Sequence, residues 1–183
     1  SSEYASNRAR RVLKPILEVL AGIPTIVYGF FAFTILTPLL QRFIPGLEPT
    51  NILSPGLVMG VMIIPIVASL SEDALSAVPQ SIREGALALG ATRLEVTWKF
   101  VVSAALSGIM ASFVLGISRD IGETMIVTIA SGSSKNFTFD ITQSMQTMTA
   151  YIVEVASGEA AAGTTVYYSL YGVAITLFIF TFL

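Results

Sequence analysis

Residues 116–125 read GISRDIGETM, and they place Arg119, Asp120 and Glu123 inside a run that is otherwise apolar from residue 100 to residue 130. An ionised side chain at the middle of a membrane costs on the order of 2.5 to 3.5 kcal/mol even on the lenient insertion scale, so three of them call for a use. On a continuous helix Arg119 and Glu123 stand four residues apart and share a face. The same face carries Gly116, Ser112 and Gly108, and such a stripe of small residues either lets another helix approach closely or leaves room for a path. Arg119 follows Ser103 by 16 residues, roughly 24 Å of helix, which puts it in the outer half of a bilayer. Two chemistries fit. One is an ion pair that locks two helices together. The other is a gate or anion station, in which Arg119 offers a planar fork of donors to a tetrahedral oxyanion and Glu123 compensates it when the site is empty. Asp120, about 100° around the helix from Arg119, is expected to face a partner helix or a cation.

The elements that must carry this stretch are membrane helices. Hydrophobic residues make up 54% of the chain and charged ones 12%, the mean hydropathy is +0.77, and there is no cysteine or histidine. That balance is far from an average soluble domain. A spanning helix needs roughly twenty mostly apolar residues, and about four segments qualify: residues 16–40, 53–70, 100–130 and 166 to the end. The third is overlong, so part of it should leave the lipid or tilt. Pro24 in the first span and Pro65 in the second should bend both helices. The chain lacks an initiator methionine and stops inside an apolar run, and the expectation is a fragment with both ends incomplete.

Several function classes drop out. Without cysteine or histidine there is no thiolate site, no zinc cluster and no Ser-His-Asp triad, and neither a catalytic residue nor a metal site is expected. None of Lys14, Lys99 and Lys135 lies in a phosphate-cradling GxxxxGK[ST] loop, so ATP chemistry belongs to a partner. A net charge of -2 without a basic stripe argues against nucleic acid. The first fifteen residues do not have the form of a signal peptide. The triplet Asn136-Phe137-Thr138 fits a glycosylation sequon but arises too often by chance to carry weight.

Lys and Arg concentrate in cytoplasmic loops. Arg8, Arg10, Arg11 and Lys14 precede the first span and Arg83, Arg93 and Lys99 lie between the second and third, against Arg42 and Lys135 in the opposite loops. This puts the N-terminus and the 71–99 loop in the cytoplasm and the 131–163 segment outside. Tyr167, Tyr168 and Tyr171 fall where an aromatic belt or ordinary packing would use them.

Within the 71–99 loop, Ser71 opens a capping pattern that Pro79 breaks. Ser81 with Glu84 three residues on reads as a capping box for a helix through Leu89. Gly90 reads as its left-handed C-cap, and Thr92 as the cap of the next helix. Ile82, Ala86 and Leu89 form an apolar stripe that either docks a partner or packs under the bundle.

The residues REGALALGATRLEVTWKFVVSAALSGI resemble the EAA loop of ABC-importer permeases, with Glu84, Ala86 and Gly90 at the characteristic spacing. The resemblance implies a coupling helix seated in a cleft of a cytosolic ATPase, with Glu84, Gly85, Ala86, Leu89, Gly90 and Ala91 as the coupling residues. Ser103 stands where that motif usually has proline, which suggests a straighter start to the third span.

IPTIVYGFFA, SRDIGETMIV and QTMTAYIVE further resemble the PstC family of phosphate-specific ABC permease subunits. What this implies is an all-α integral membrane fold, a multi-span bundle of the type I ABC importer permease kind, forming a single transmembrane domain over residues 1–183. It implies a translocation path through Arg119 and Glu123, with Asp120 beside it where the family usually has a small residue. The chain would be a non-enzymatic permease for inorganic phosphate, without a cofactor of its own, ATP and Mg being bound by the ATPase. Its partners would be a homologous PstA-like permease, two ATPase subunits and an external phosphate-binding protein, in a bacterial plasma (inner) membrane. A permease for sulfate or molybdate, or a passive channel or scaffold subunit, are the rival readings.

Overall fold

The computed structural model describes residues 7–135, 138–159 and 163–182, all of their regular structure helical. The sequon's Asn136 and Phe137 lie outside the described residues. The helices are α1 (Asn7–Gly22), α2 (Thr25–Gln41), α3 (Leu53–Ser76), α4 (Gln80–Ala88), α5 (Arg93–Ile121), α6 (Met125–Ala130), α7 (Met148–Glu154) and α8 (Thr165–Phe182). Three of them, α3, α5 and α8, are long and apolar enough to cross a membrane, and a fourth span results if Pro15–Gly22 and α2 are counted together.

The apolar run over residues 16–40 is two helices, because Pro24 takes an extended ψ of 138° and starts α2 afresh. Pro65 leaves α3 unbroken, although it frees the carbonyl four residues back. Two further expectations about local structure change. Ser71 caps nothing, since α3 runs on to Ser76, and the overlong third run ends as a helix at Ile121 and resumes at Met125.

The chain divides into two compact units. The first takes the chain up to Gly22 together with Met62–Ile117. Its core is Val78, Ala86, Val96, Val101 and Ala105, with Ala74, Leu75, Ala91 and Ile109 packed on it. Here the stripe of small residues has its explanation. A methyl group on Gly108 would stand 2.6 Å from Cβ of Ala74, and one on Gly116 2.9 Å from Cγ2 of Val67. Between them the hydroxyls of Ser112 and Ser71 share a hydrogen bond of 2.8 Å. The stripe is a close helix seam between α5 and α3. At its Gly108 end the seam borders an open cavity of about 390 Å³ lined by Ala74, Val78, Ile82, Ala104 and Ser107 among others.

The second unit comprises Ile23–Val61 and Ser118–Leu183. Gly29 lets α2 lie directly on α6, where a Cβ would meet Cδ1 of Ile129 at 3.1 Å and the Ile126 backbone at 3.2 Å. Thr37, Asn51 and Ser54 form a buried polar knot: Thr37 donates to Ser54 at 2.8 Å, and the Asn51 side chain accepts from the Ser54 amide at 2.8 Å. Backbone bonds then lace the 47–53 loop to the 130–144 segment. Asn51 donates to Ala130, Leu53 to Ile141 and Glu48 to Thr142, while the Ser144 amide donates to the Glu48 carboxylate at 2.8 Å. The Asp140 carboxylate accepts from the Thr142 hydroxyl at 2.6 Å and from its amide, which holds its pKa below the ordinary carboxylate value.

The seam yields a direct test. Gly108→Leu inserts a side chain where one methyl already collides, so the purified protein in detergent should lose about 1 to 3 kcal/mol of stability or insert poorly. A melting temperature equal to that of the unsubstituted protein would contradict the close packing of α5 on α3.

Candidate functional site

The charged stretch lies at the end of α5. Its backbone ladder stops at Ile121 because Gly122 follows and Glu123 turns back, its amide donating to the Asp120 carbonyl at 3.0 Å. Glu123 is therefore in a break between helices, and the expectation that it shares a helical face with Arg119 is corrected. Its carboxylate accepts from the Met125 amide at 3.1 Å and so caps the start of α6. Its carbonyl accepts from the Thr149 hydroxyl at 2.8 Å, which ties the break to α7. Thr128 closes the other side by donating to the Thr124 carbonyl at 2.7 Å.

Arg119 is exposed in the last turn of α5, where a cation also complements the partial negative charge of the helix end. It forms no ion pair with Glu123 and no hydrogen bond among the described residues. Arg119 and Glu123 are thus not joined to each other among the described residues. Asp120 is half-buried, and its Oδ1 is covered without a donor among the described residues. The site thus assembles a free guanidinium, a half-covered carboxylate and a second carboxylate already used as a cap.

The 71–99 loop forms the expected helix, glycine, helix unit, with different caps. Pro79 takes the N-cap position of α4 and no side chain caps it, so the box expected between Ser81 and Glu84 does not form. The C-terminal signal holds. Gly90 has φ +86°, its amide donates to Leu87, and the Ala91 amide donates to the Ala86 carbonyl at 3.2 Å, the paired pattern of a Schellman cap. Thr92 caps α5 in a reciprocal box with Glu95. Arg83 reaches back to donate to the Leu75 carbonyl at 2.9 Å and braces the end of α3.

The apolar stripe on α4 is split by this packing. Ala86 is buried in the core, whereas Leu89 is 86% exposed and Ile82 39%. Glu84, Gly85, Leu89 and Gly90 face outward, and Ala91 is half-buried. Sequence reasoning did not reach Thr149, the hydroxyl that satisfies the break. Its only signal is its place in the short QTMTAYIVE segment, where the structure shows Thr147 capping α7 by accepting from the Ala150 amide.

Residues 2–183 match the family described as binding-protein-dependent transport system inner membrane component. A probable ABC transporter permease protein of Bacillus subtilis (strain 168), YqgH, is 34% identical over 182 residues, all of this chain and 59% of the relative. The phosphate transport system permease protein PstC of Haemophilus influenzae is 36% identical over 152 residues, 73% of this chain and 48% of the relative. PstC of Mesorhizobium japonicum is 30% identical over 201 residues, all of this chain and 61% of the relative. The chain therefore spans about half to three-fifths of the length of these curated relatives. No solved structure matches it. With its apolar helices and a family match along nearly its whole length, the chain belongs to the binding-protein-dependent transport system inner membrane components, as a multi-pass membrane protein.

Proposed function

We propose that the chain is the membrane-spanning part of an ATP-driven importer that passes inorganic phosphate delivered by an external binding protein. The observation that carries this reading is the unpaired Arg119 at the break after α5, in a chain whose relatives include phosphate transport permeases. A guanidinium presents its donors in a fixed planar fork that matches two oxygens of a tetrahedral anion. At the end of an apolar helix its attraction for an anion is weakly screened. Glu123 offsets the Arg119 charge between passages, and Asp120 adds a further negative charge that repels an anion that lingers. Glu123 is also held by the Met125 amide, so it compensates charge without closing onto Arg119.

ATP hydrolysis in this account belongs to separate ATPase subunits, and a homologous PstA-like permease completes the pathway. The α4 knob meets an ATPase through Glu84, Gly85, Leu89, Gly90 and Ala91. Ala86 serves from below, as the buried foot that fixes α4 to α3 and α5. The knob is cytoplasmic and the 131–163 segment external.

Three experiments test this assignment in the full-length complex. For the anion path, Arg119→Gln with Glu123→Gln should leave assembly and ATPase docking normal and abolish uptake of labelled phosphate, and Arg119→Lys should reduce uptake strongly because the charge remains but the fork is lost. Uptake at the unsubstituted rate by the double variant, at equal membrane abundance, would reduce the stretch to packing. For coupling, Gly90→Val places a β-branched residue at φ +86°, and ATP hydrolysis should then proceed without transport; normal coupling would remove the docking role. For orientation, a cysteine at Phe139, which is 91% exposed, should react with a membrane-impermeant thiol reagent in intact spheroplasts, while one at Arg93 should react only after permeabilisation. The reverse pattern would invert the topology.

A further inference from the structure

Away from the break after α5, donors also converge beside a cavity. An open cavity of about 360 Å³ is lined by Ser134, Lys135, Gln146, Met148, Tyr151 and Val173 among others. Lys135 is the last basic residue of the sequence after Arg119. Its ammonium lies 3.2 Å from Oε1 of Glu154 and 5.6 Å from the centre of the Tyr151 ring. The side-chain amide of Gln146 donates to the other oxygen, Oε2, of the same carboxylate. Two donors from different parts of the wall thus meet the two oxygens of one acid group.

Their positions are fixed from behind. The Gln146 amide donates to the Ser134 carbonyl at 2.9 Å, and the Met145 amide to the Ser131 carbonyl at 3.0 Å, so the strands of chain that carry Lys135 and Gln146 are tied together. The Tyr151 hydroxyl shares a hydrogen bond of 2.6 Å with Ser169 on α8, which holds the ring as a wall. Met145, Met148 and Val173 add apolar wall, and Val173 belongs to a helix long and apolar enough to cross a membrane.

We propose that this cavity binds a phosphoryl oxyanion, and that Glu154 occupies its place until one arrives. A phosphoryl group carries more negative charge and more acceptor oxygens than a carboxylate, so it competes for the same two donors. Lys135 supplies the charge, Gln146 the directed amide and the Tyr151 face a backing for the ammonium. Glu154, displaced, is left at the cavity edge, where its side chain already reaches solvent. Two sources share this chemistry, free inorganic phosphate and the headgroup of an anionic phospholipid whose acyl chain lies along Met148 and Val173. The free-phosphate source rests on the function proposed above; the lipid source does not.

The test follows acylation of the Lys135 amine by an amine-reactive reagent, read by peptide mass in the intact complex in lipid nanodiscs, without ATP or binding protein. One arm uses phosphatidylcholine discs with sodium phosphate against sodium chloride at equal ionic strength. The other compares phosphatidylglycerol with phosphatidylcholine discs in chloride alone. Lys135 should react roughly tenfold more slowly in at least one arm, the worth of one charge-assisted hydrogen bond, while Lys99, paired with Glu95, is unchanged. Slowing by sodium phosphate identifies the free anion, and slowing by phosphatidylglycerol alone identifies the lipid. Glu154→Gln removes the competing charge and should lower the half-protecting concentration about tenfold. Equal rates for Lys135 in all conditions, slowing shared with Lys99, or no gain from Glu154→Gln would each overturn the proposal. No turnover is involved, so a failed transport assay leaves this outcome unaffected.

Discussion

A helix that stops in an apolar surrounding leaves amides and carbonyls that lipid cannot satisfy, and this constraint governs how the charged stretch is built. The break between Ile121 and Met125 meets it locally. Glu123 turns its amide to Asp120, its carboxylate to Met125 and its carbonyl to Thr149, while Thr128 takes the carbonyl of Thr124. Every one of these partners lies within the same compact unit. With Glu123 committed to the backbone, Arg119 is left at the end of α5 with its donors unused. The cost of ending the helix and the availability of the arginine are two sides of one arrangement.

The opposite constraint holds along α5. There the helix must stay whole and close to α3, and Gly108, Ser112 and Gly116 remove the side-chain volume that would keep them apart. In lipid there is no hydrophobic drive between helices, so contact depends on such close approach and on the shared Ser71 and Ser112 hydrogen bond. The same seam continues toward the knob, where Ala86 enters the core and Gly90 turns the chain back into α5. The knob and the adjoining part of the seam thus share one packed core within the first unit.

Much of this was legible from residue types. Composition and run length specify an all-helical membrane chain, and Gly90 and Thr92 are caps whose chemistry allows few alternatives. The small-residue stripe was legible as a stripe, but sequence alone left packing and path equally open, because both need the same missing volume. Other features were hidden for physical reasons. Ser81 and Glu84 have the spacing of a capping box, yet Pro79 takes the cap position two residues earlier and leaves Ser81 inside the helix. Arg119 and Glu123 have the spacing of a helical pair, and nothing in an apolar context announces that Gly122 ends the helix between them. The pairing of Lys135 with Glu154 joins residues 19 apart, on segments whose approach is set by backbone lacing rather than by any local pattern.

The central proposal is passage of phosphate at Arg119, driven by an ATPase docked on the α4 knob. The measurement closest to that claim is uptake of labelled phosphate into proteoliposomes holding the full-length complex with its ATPase and binding protein, with unlabelled sulfate as competitor. The account predicts ATP-dependent accumulation of phosphate that a large excess of sulfate leaves unchanged. Accumulation that continues without ATP, or that sulfate suppresses as well as unlabelled phosphate does, would contradict it.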